Sequence, residues 1–168
     1  MNNLLMLNNR QEVQNIDIIK IQGNNYYPQA IEKSLQQSHP CLRPNAGVVF
    51  SLEVNYQERL VVLQEVKRTY SRILNKDEVI KAIRAAALEE HKLQIYSVAL
   101  LKANSLPKDA QGKIDRNACQ DYFLKTNLDA LHTWTINPQQ DLQQLQTDVN
   151  ALLENVQKFA QQTQFKVS

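Results

Sequence analysis

Only three glycines, Gly23, Gly47 and Gly112, occur in 168 residues, so each marks a backbone requirement rather than general flexibility. The pair Gly112-Lys113 lacks the earlier glycine of a P-loop, because position 108 is lysine, and Ile114 stands where that loop needs Ser or Thr. Cysteine is equally sparse. Cys41 and Cys119 lie far apart and fall at no zinc-ligand spacing with His39, His91 or His132, so both are expected in the core and no metal ligand set is expected. No Ser/His/Asp grouping surrounds any of the three histidines, which leaves hydrolase chemistry without support. There is no block of Lys and Arg: 19 basic against 17 acidic residues give a formal charge of +2, which argues against a nucleic-acid partner. No apolar run approaches the roughly 20 residues of a bilayer helix, and the opening MNNLLMLNNR has neither a basic leader nor a long hydrophobic stretch. These absences imply no membrane span and a cytoplasmic location.

What is present suffices for one modest core, with 43% apolar and 21% charged residues. The β-branched run IDIIKIQ, residues 16–22, reads as a strand ended by the turn Gly23-Asn24-Asn25. Pro28 suits a helix start, and Ile31 and Leu35 recur at i, i+4 before His39-Pro40 halts the pattern. GVVFSLEV from Gly47 and RLVVLQEV from Arg59 predict a hairpin joined by the loop Asn55-Tyr56-Gln57-Glu58. Asn75, with Glu78 three residues on, predicts a capped helix through DEVIKAIRAAALEEHK, with Val79, Ile83, Ala86 and Ala87 on its inner face. IYSVALLK from Ile95 restores strand character, a polar loop runs through Arg116, and Cys119, Tyr122, Phe123 and Leu128 predict a helix over 117–131.

This alternation predicts an α+β fold, a small mixed β-sheet with helices packed on it, plus a C-terminal amphipathic helix. The expected boundaries are 17–131 for the domain, 132–138 for a linker and 139–168 for the helix. In that last segment Leu142, Leu145, Val149, Leu152, Val156 and Phe159 are spaced 3, 4, 3, 4 and 3 apart, a heptad seam among glutamines. A seam on so short a helix needs a surface to bury against, so self-association or docking through residues 139–162 is expected.

Chemically, Glu89-Glu90-His91 falls at a helix end and reads as a solvated face. The loop PKDAQGKIDR, residues 107–116, is more unusual: a lysine beside a lone glycine on a mobile loop can be swung as a point charge onto a phosphate or carboxylate.

The strings NNYYPQAIE at 24–32, HPCLRPNAGVVFSL from His39, ERLVVLQEVKR from Glu58 and SLPKDAQGKIDRNAC from Ser105 resemble, in order, landmarks of the C-terminal domain of fatty acyl-AMP ligases, in the adenylate-forming superfamily. The resemblance covers the chain from about Asp17 to about Leu124. It implies a lid that rotates over a large N-terminal adenylating domain, which holds the ATP and the fatty acid. Lys113 matches the family's catalytic lysine, at the fatty-acid carboxylate and the α-phosphate, with Pro107, Lys108 and Gly112 positioning its loop. Asp17 matches the end of the hinge, and Gly23, Asn25, Tyr27 and Pro28 a turn at the domain interface. The implied cofactors are ATP and, through ATP, magnesium; the implied partners are the adenylating domain and an acyl carrier protein that receives the acyl group on its phosphopantetheine thiol.

The chain also departs from the pattern. Asp109, Ala110 and Gln111 replace the usual hydroxyl residues, and Asp109 is expected to pair with a nearby lysine. Residues 1–16 read as a degenerate hinge, with Val13, Gln14, Asn15 and Ile16 where the family has Gly-Arg-x-Lys. Two functions follow: a lid that supplies Lys113 and is inactive without an adenylating domain, or a freestanding lid-like module, without catalysis, that binds a carrier protein or a synthetase.

Overall fold

The computed structural model describes residues 17–125 and 129–167; the expected degenerate hinge at 1–16, and Leu128, lie outside the described residues. The chain divides into two compact units with the boundary between Thr135 and Ile136.

In the first unit a small hairpin, β1 (Ile19–Ile21) and β2 (Asn24–Tyr26), precedes helix α1 (Pro28–Gln36). The expected strand over 16–22 is shorter than predicted, and Asn24 and Asn25 are paired strand residues opposite Ile21 and Lys20 rather than a turn. Gln22 and Gly23 form the turn instead, with φ of 52° and 78°. A two-residue turn of that hand matches strand twist and needs positive φ twice, which Gly23 adopts without a Cβ penalty. Pro28 occupies the first turn of α1, where its missing N–H costs nothing, and Ile31 and Leu35 are buried.

The main sheet has the order β3-β4-β5-β6. β3 (Leu42–Val54) and β4 (Gln57–Val66) pair antiparallel, with a register shift between Leu42 and Gly47. The connection is only Asn55-Tyr56, both at positive φ, because Gln57 and Glu58 join the ladder opposite Val54 and Glu53. The predicted four-residue loop followed the apolar run alone, whereas backbone pairing does not require apolar side chains. Helix α2 (Lys76–His91) then carries the chain to β5 (Ile95–Leu101), which lies parallel to β4. Asn75 caps α2 by accepting from the Glu78 N–H at 3.3 Å, and Val79, Ile80, Ile83 and Ala87 are buried.

The continuous apolar run of β4 has a physical reason. Leu60 and Val62 face one core with Ile31, Leu35, Val79 and Ile83, while Val61 and Leu63 face a second core with Phe50, Leu101, Leu106 and Cys119. Successive side chains point to opposite faces, and both faces are covered. Gly47 is required by a close approach: a Cβ there would lie 2.1 Å from the buried Gln64 Oε1. That Gln64 amide is pinned, donating to the carbonyls of Arg43, Ala46 and Glu65.

The C-terminal part of this unit departs from the helix expected over 117–131. Helix α3 (Arg116–Leu124), capped by Asp115, is followed by a sixth strand, β6 (Ala130–Thr135), antiparallel to β5. His132–Thr135, expected as the start of a linker, are therefore sheet residues. The open edge of β5 supplies their hydrogen bonds, and Thr133, Trp134 and Thr135 suit a strand. Trp134 stands opposite Val98, with the Arg84 guanidinium 4.2 Å from its ring.

The second unit is helix α4 (Pro138–Val167). Val149, Leu152, Leu153, Val156 and Phe159 on it are all exposed. Among the described residues no helix is long and apolar enough to cross a membrane.

Candidate functional site

The loop after β5 is built by one carboxylate. Asp109 Oδ1 accepts from the backbone N–H groups of Gln111 at 2.9 Å and Lys113 at 3.0 Å. The Asp109 N–H donates to the Lys113 carbonyl at 2.8 Å, and that of Gly112 to the Asp109 carbonyl at 3.1 Å. Lys108 bridges antiparallel to Ile114, and the Asp115 N–H donates to the Pro107 carbonyl at 3.1 Å. Gly112 turns the chain at φ 81° with open space where a Cβ would stand. The result is a miniature hairpin. Among the described residues Asp109 is at ion-pair distance from no lysine, and its Oδ1 satisfies backbone donors instead.

Lys113 is thereby placed on the returning arm, exposed, beside a cleft of about 560 Å³. Lys108 and Gly112 line the same cleft, as do Lys33 of α1 and Arg116 at the start of α3. Of the other residues singled out in the sequence, Asp17 reaches this region indirectly, 3.4 Å from Arg116 Nε. Gly23, Asn25, Tyr27 and Pro28 are not among the cleft's lining residues; they lie on the β1–β2 hairpin and at the start of α1, with Tyr27 exposed.

Two ion pairs that motif reading misses hold this arrangement. Arg116 donates to Glu32 Oε1 and, at 2.6 Å, to the Val49 carbonyl, while Glu32 accepts from the Val49 N–H at 3.0 Å. One guanidinium thus ties α1, β3 and the end of the loop. Burial pushes the Glu32 carboxyl above its ordinary value, outweighing the hydrogen bond and charge of Arg116. The second pair sits at the other end of the loop. Glu65 is 1% exposed and accepts from Arg43 Nη1 at 2.8 Å and from the Leu106 N–H at 3.0 Å. Burial raises its carboxyl, but hydrogen bonds from the Leu106 and Asn104 backbones and from Arg43 prevail and hold it below its ordinary value. A signal for Glu65 did exist in the sequence: a carboxylate inside the apolar run of β4 must be paired or hydrogen-bonded.

The remaining candidates are structural. His91 Nε2 lies 2.8 Å from Ser34 Oγ between α2 and α1, and Glu89 and Glu90 are exposed. Among the described residues no group of three or more His, Cys, Asp or Glu is placed to hold a metal. Both cysteines are free and buried. Burial raises the Cys41 thiol, and it is the main cause that pushes Cys119 up to about 12. Neither thiol is therefore expected to react with a disulfide reagent at pH 8 in the folded chain, and both are expected to react in denaturant. Absorbance of the released thiolate checks this, and stoichiometric reaction of the native chain would contradict it.

Comparison with known proteins places the chain in a family. The model of the Disco-interacting protein 2-like AMP domain matches residues 16–133. The medium-chain-fatty-acid–[acyl-carrier-protein] ligase JamA of Moorena producens is 49% identical over 113 residues, 67% of this chain and 19% of its own length. The long-chain-fatty-acid–AMP ligase FadD32 of Mycobacterium marinum is 27% identical over 133 residues, covering 67% of this chain and 21% of its own. The crystal structure of a fatty acid AMP ligase from Legionella pneumophila superposes with a TM-score of 0.54 and 28% identity, over 65% of this chain and 19% of that one. The chain therefore spans about a fifth of the length of these relatives. Fold and relatives define a segment of the adenylate-forming superfamily. Within it, the chain belongs to the Disco-interacting protein 2-like AMP-domain family.

Proposed function

We propose that this chain is the C-terminal lid of a fatty acyl-AMP ligase and brings Lys113 to the active site of an adenylating domain. The observation that carries the reading is the position of Lys113: exposed on a loop fixed by Asp109, with no carboxylate at ion-pair distance among the described residues. An ammonium held this way is available to anions brought by another domain. In adenylation, a fatty-acid carboxylate oxygen attacks the α-phosphorus of ATP and pyrophosphate leaves. The Lys113 cation offsets the repulsion between the two anions and the charge that builds on the phosphoryl oxygens. The acyl-AMP then passes its acyl group to the phosphopantetheine thiol of an acyl carrier protein, releasing AMP. Asp17, tied to Arg116, would serve as the end of the hinge, and the turn with Gly23, Asn25, Tyr27 and Pro28 as the surface facing the larger domain. ATP and its magnesium would be held by that domain. Reconstitution tests the reading: the chain alone should release no pyrophosphate from ATP and a fatty acid, and should restore release when added to an adenylating domain that lacks its lid.

A second reading is a lid-like interaction module without catalysis, favoured by the exposed apolar stripe of α4. Under either reading α4 serves as a docking or self-association element. Flanking positions are mainly Gln and Asn, so partner choice is weakly specified by charge. Deleting residues 139–168 is expected to shift the melting temperature by less than about 4 °C, the scale of 1 kcal/mol for a domain of this size, while changing the association state or the carrier-protein affinity. Thermal unfolding with light scattering decides it: a large loss of melting temperature with both chains monomeric would make the helix part of the core.

A further inference from the structure

The cleft beside Lys113 carries more positive charge than a lid needs in order to deliver one lysine. Lys33, Lys108 and Lys113 all line it, together with Arg116. Glu32 is the sole carboxylate among the lining residues, and it is already engaged by the Arg116 guanidinium and the Val49 N–H. Among the described residues no carboxylate lies at ion-pair distance from any of the three lysines. The nearby Asp109 is not among the lining residues, and its Oδ1 accepts from the backbone N–H groups of Gln111 and Lys113. Three like charges around one concavity repel one another, and an anion bound between them removes that repulsion while gaining charge-assisted hydrogen bonds.

The walls of the cleft are also held in place. Lys33 stands in the last turn of α1, Lys108 and Lys113 on the two arms of the miniature hairpin, and Arg116 locks α1 to β3 and α3. Gln36, which also lines the cleft, uses its side-chain oxygen to accept from the Asn45 N–H at 2.8 Å and keeps its NH2 group as a further donor. Lysine ammonium groups suit a phosphate, whose charge is spread over several oxygens and needs no planar fork.

We propose that this cleft is a phosphate-binding site of the chain itself, in which Lys33 and Lys108 hold a phosphate group beside Lys113. The inference relies on the lid reading only for the source of that group. A free pyrophosphate of adenylation and the phosphate of a phosphopantetheine arm share the required chemistry, and a cleft of about 560 Å³ accommodates either with part of its hydration.

The test is a titration of the 15N-labelled full chain, without magnesium, using inorganic pyrophosphate in one arm and 4′-phosphopantetheine in the other. Saturable amide shifts are expected at Lys33, Lys108, Gly112 and Lys113, weakening as salt is raised. Tighter binding of pyrophosphate assigns the site to the free anion; tighter binding of 4′-phosphopantetheine assigns it to the carrier's arm. The double variant Lys33→Gln with Lys108→Gln should weaken binding at least tenfold, on the order of 1.4 kcal/mol. Lys33→Arg should recover part of the loss, and Lys81→Gln on α2 should leave affinity unchanged. A 15N spectrum with native dispersion shows that each variant is folded. Linear, unsaturated shifts scattered over Lys20, Lys76 and Lys81, or equal affinity in the double variant, would overturn the proposal. Because Lys113 is intact in that variant, loss of phosphate binding is separable from loss of adenylation. A chain that binds no phosphate yet depends on Lys113 in reconstitution defeats this inference alone, and a chain that binds phosphate but restores no adenylation defeats only the lid reading.

Discussion

Lys113→Ala is expected to lower acyl-AMP formation by about 100-fold or more when the chain is combined with an adenylating domain lacking its own lid. That factor corresponds to about 2.7 kcal/mol of transition-state stabilisation, the scale for losing one positioned charge contact. The expectation is this large because, among the described residues, no carboxylate lies at ion-pair distance from the ammonium: Asp109 Oδ1 accepts from backbone donors and Glu32 is paired with Arg116. Lys108→Ala should cost much less, since Lys108 lies on the outgoing arm and Lys113 on the arm that follows the Gly112 turn. Lys113→Arg should restore only part of the rate, because a planar guanidinium does not reproduce a compact point charge. Initial rates of pyrophosphate release measure the effect, with complex formation between the two chains measured separately. Equal rates for Lys113→Ala and the parent chain would favour the interaction module without catalysis.

Glu65→Ala is expected to destabilise the first unit by about 3 kcal/mol, the scale for stranding a buried donor and losing a charge-assisted hydrogen bond. Chemical denaturation should register this directly, and the melting temperature should fall by about 10 °C or more. The loss has two sources. The Leu106 N–H is left without its acceptor, and Arg43 loses its carboxylate, keeping only the Asn104 side chain at 2.7 Å. Glu65→Gln should cost less, because an amide oxygen can still accept from Leu106 and Arg43 is exposed enough to reach water.

The pH dependence has a definite sign. Glu65 is held below its ordinary value near 4.5, so its contribution is complete above that pH and is lost as pH falls through its lower folded value. Glu32 has the opposite sign: with its folded value raised above 4.5, stability declines as pH rises through the interval between the two values. The acid limb of a stability profile should therefore flatten in Glu65→Gln and persist in Glu32→Gln. Hydrogen exchange at Leu106 adds a local readout. Faster exchange in Glu65→Gln at constant global stability would show Glu65 acting as a positioning residue for the segment that leads into the Lys113 loop. An unchanged acid limb would place the titration elsewhere.

The elements that could be read from the chain alone are those with a local cause. Pro28 with Ile31 and Leu35, Asn75 with the apolar face of α2, and the β-branched and aromatic residues of β5 carry their own signals, because capping, helical periodicity and strand burial act over a few residues. The α+β class followed from their order. The tight turn that precedes Lys113 was marked in the same way, by one of only three glycines.

What the tertiary structure alone decided are the pairings between distant segments. β6 pairs with the open edge that β5 offers 30 or so residues away; Thr133, Trp134 and Thr135 suit a strand, but so short a segment does not name the strand it joins. The bulge between Leu42 and Gly47 depends on the Gln64 amide filling the space a Cβ would take. The cleft depends on Arg116 finding Glu32 at a separation of 84 residues and the Val49 carbonyl at 67. The long segment between two such charges carries no pattern that names one as the partner of the other. Their attraction becomes specific only after burial of α1, β3 and α3 has removed the water that would otherwise have paired with each.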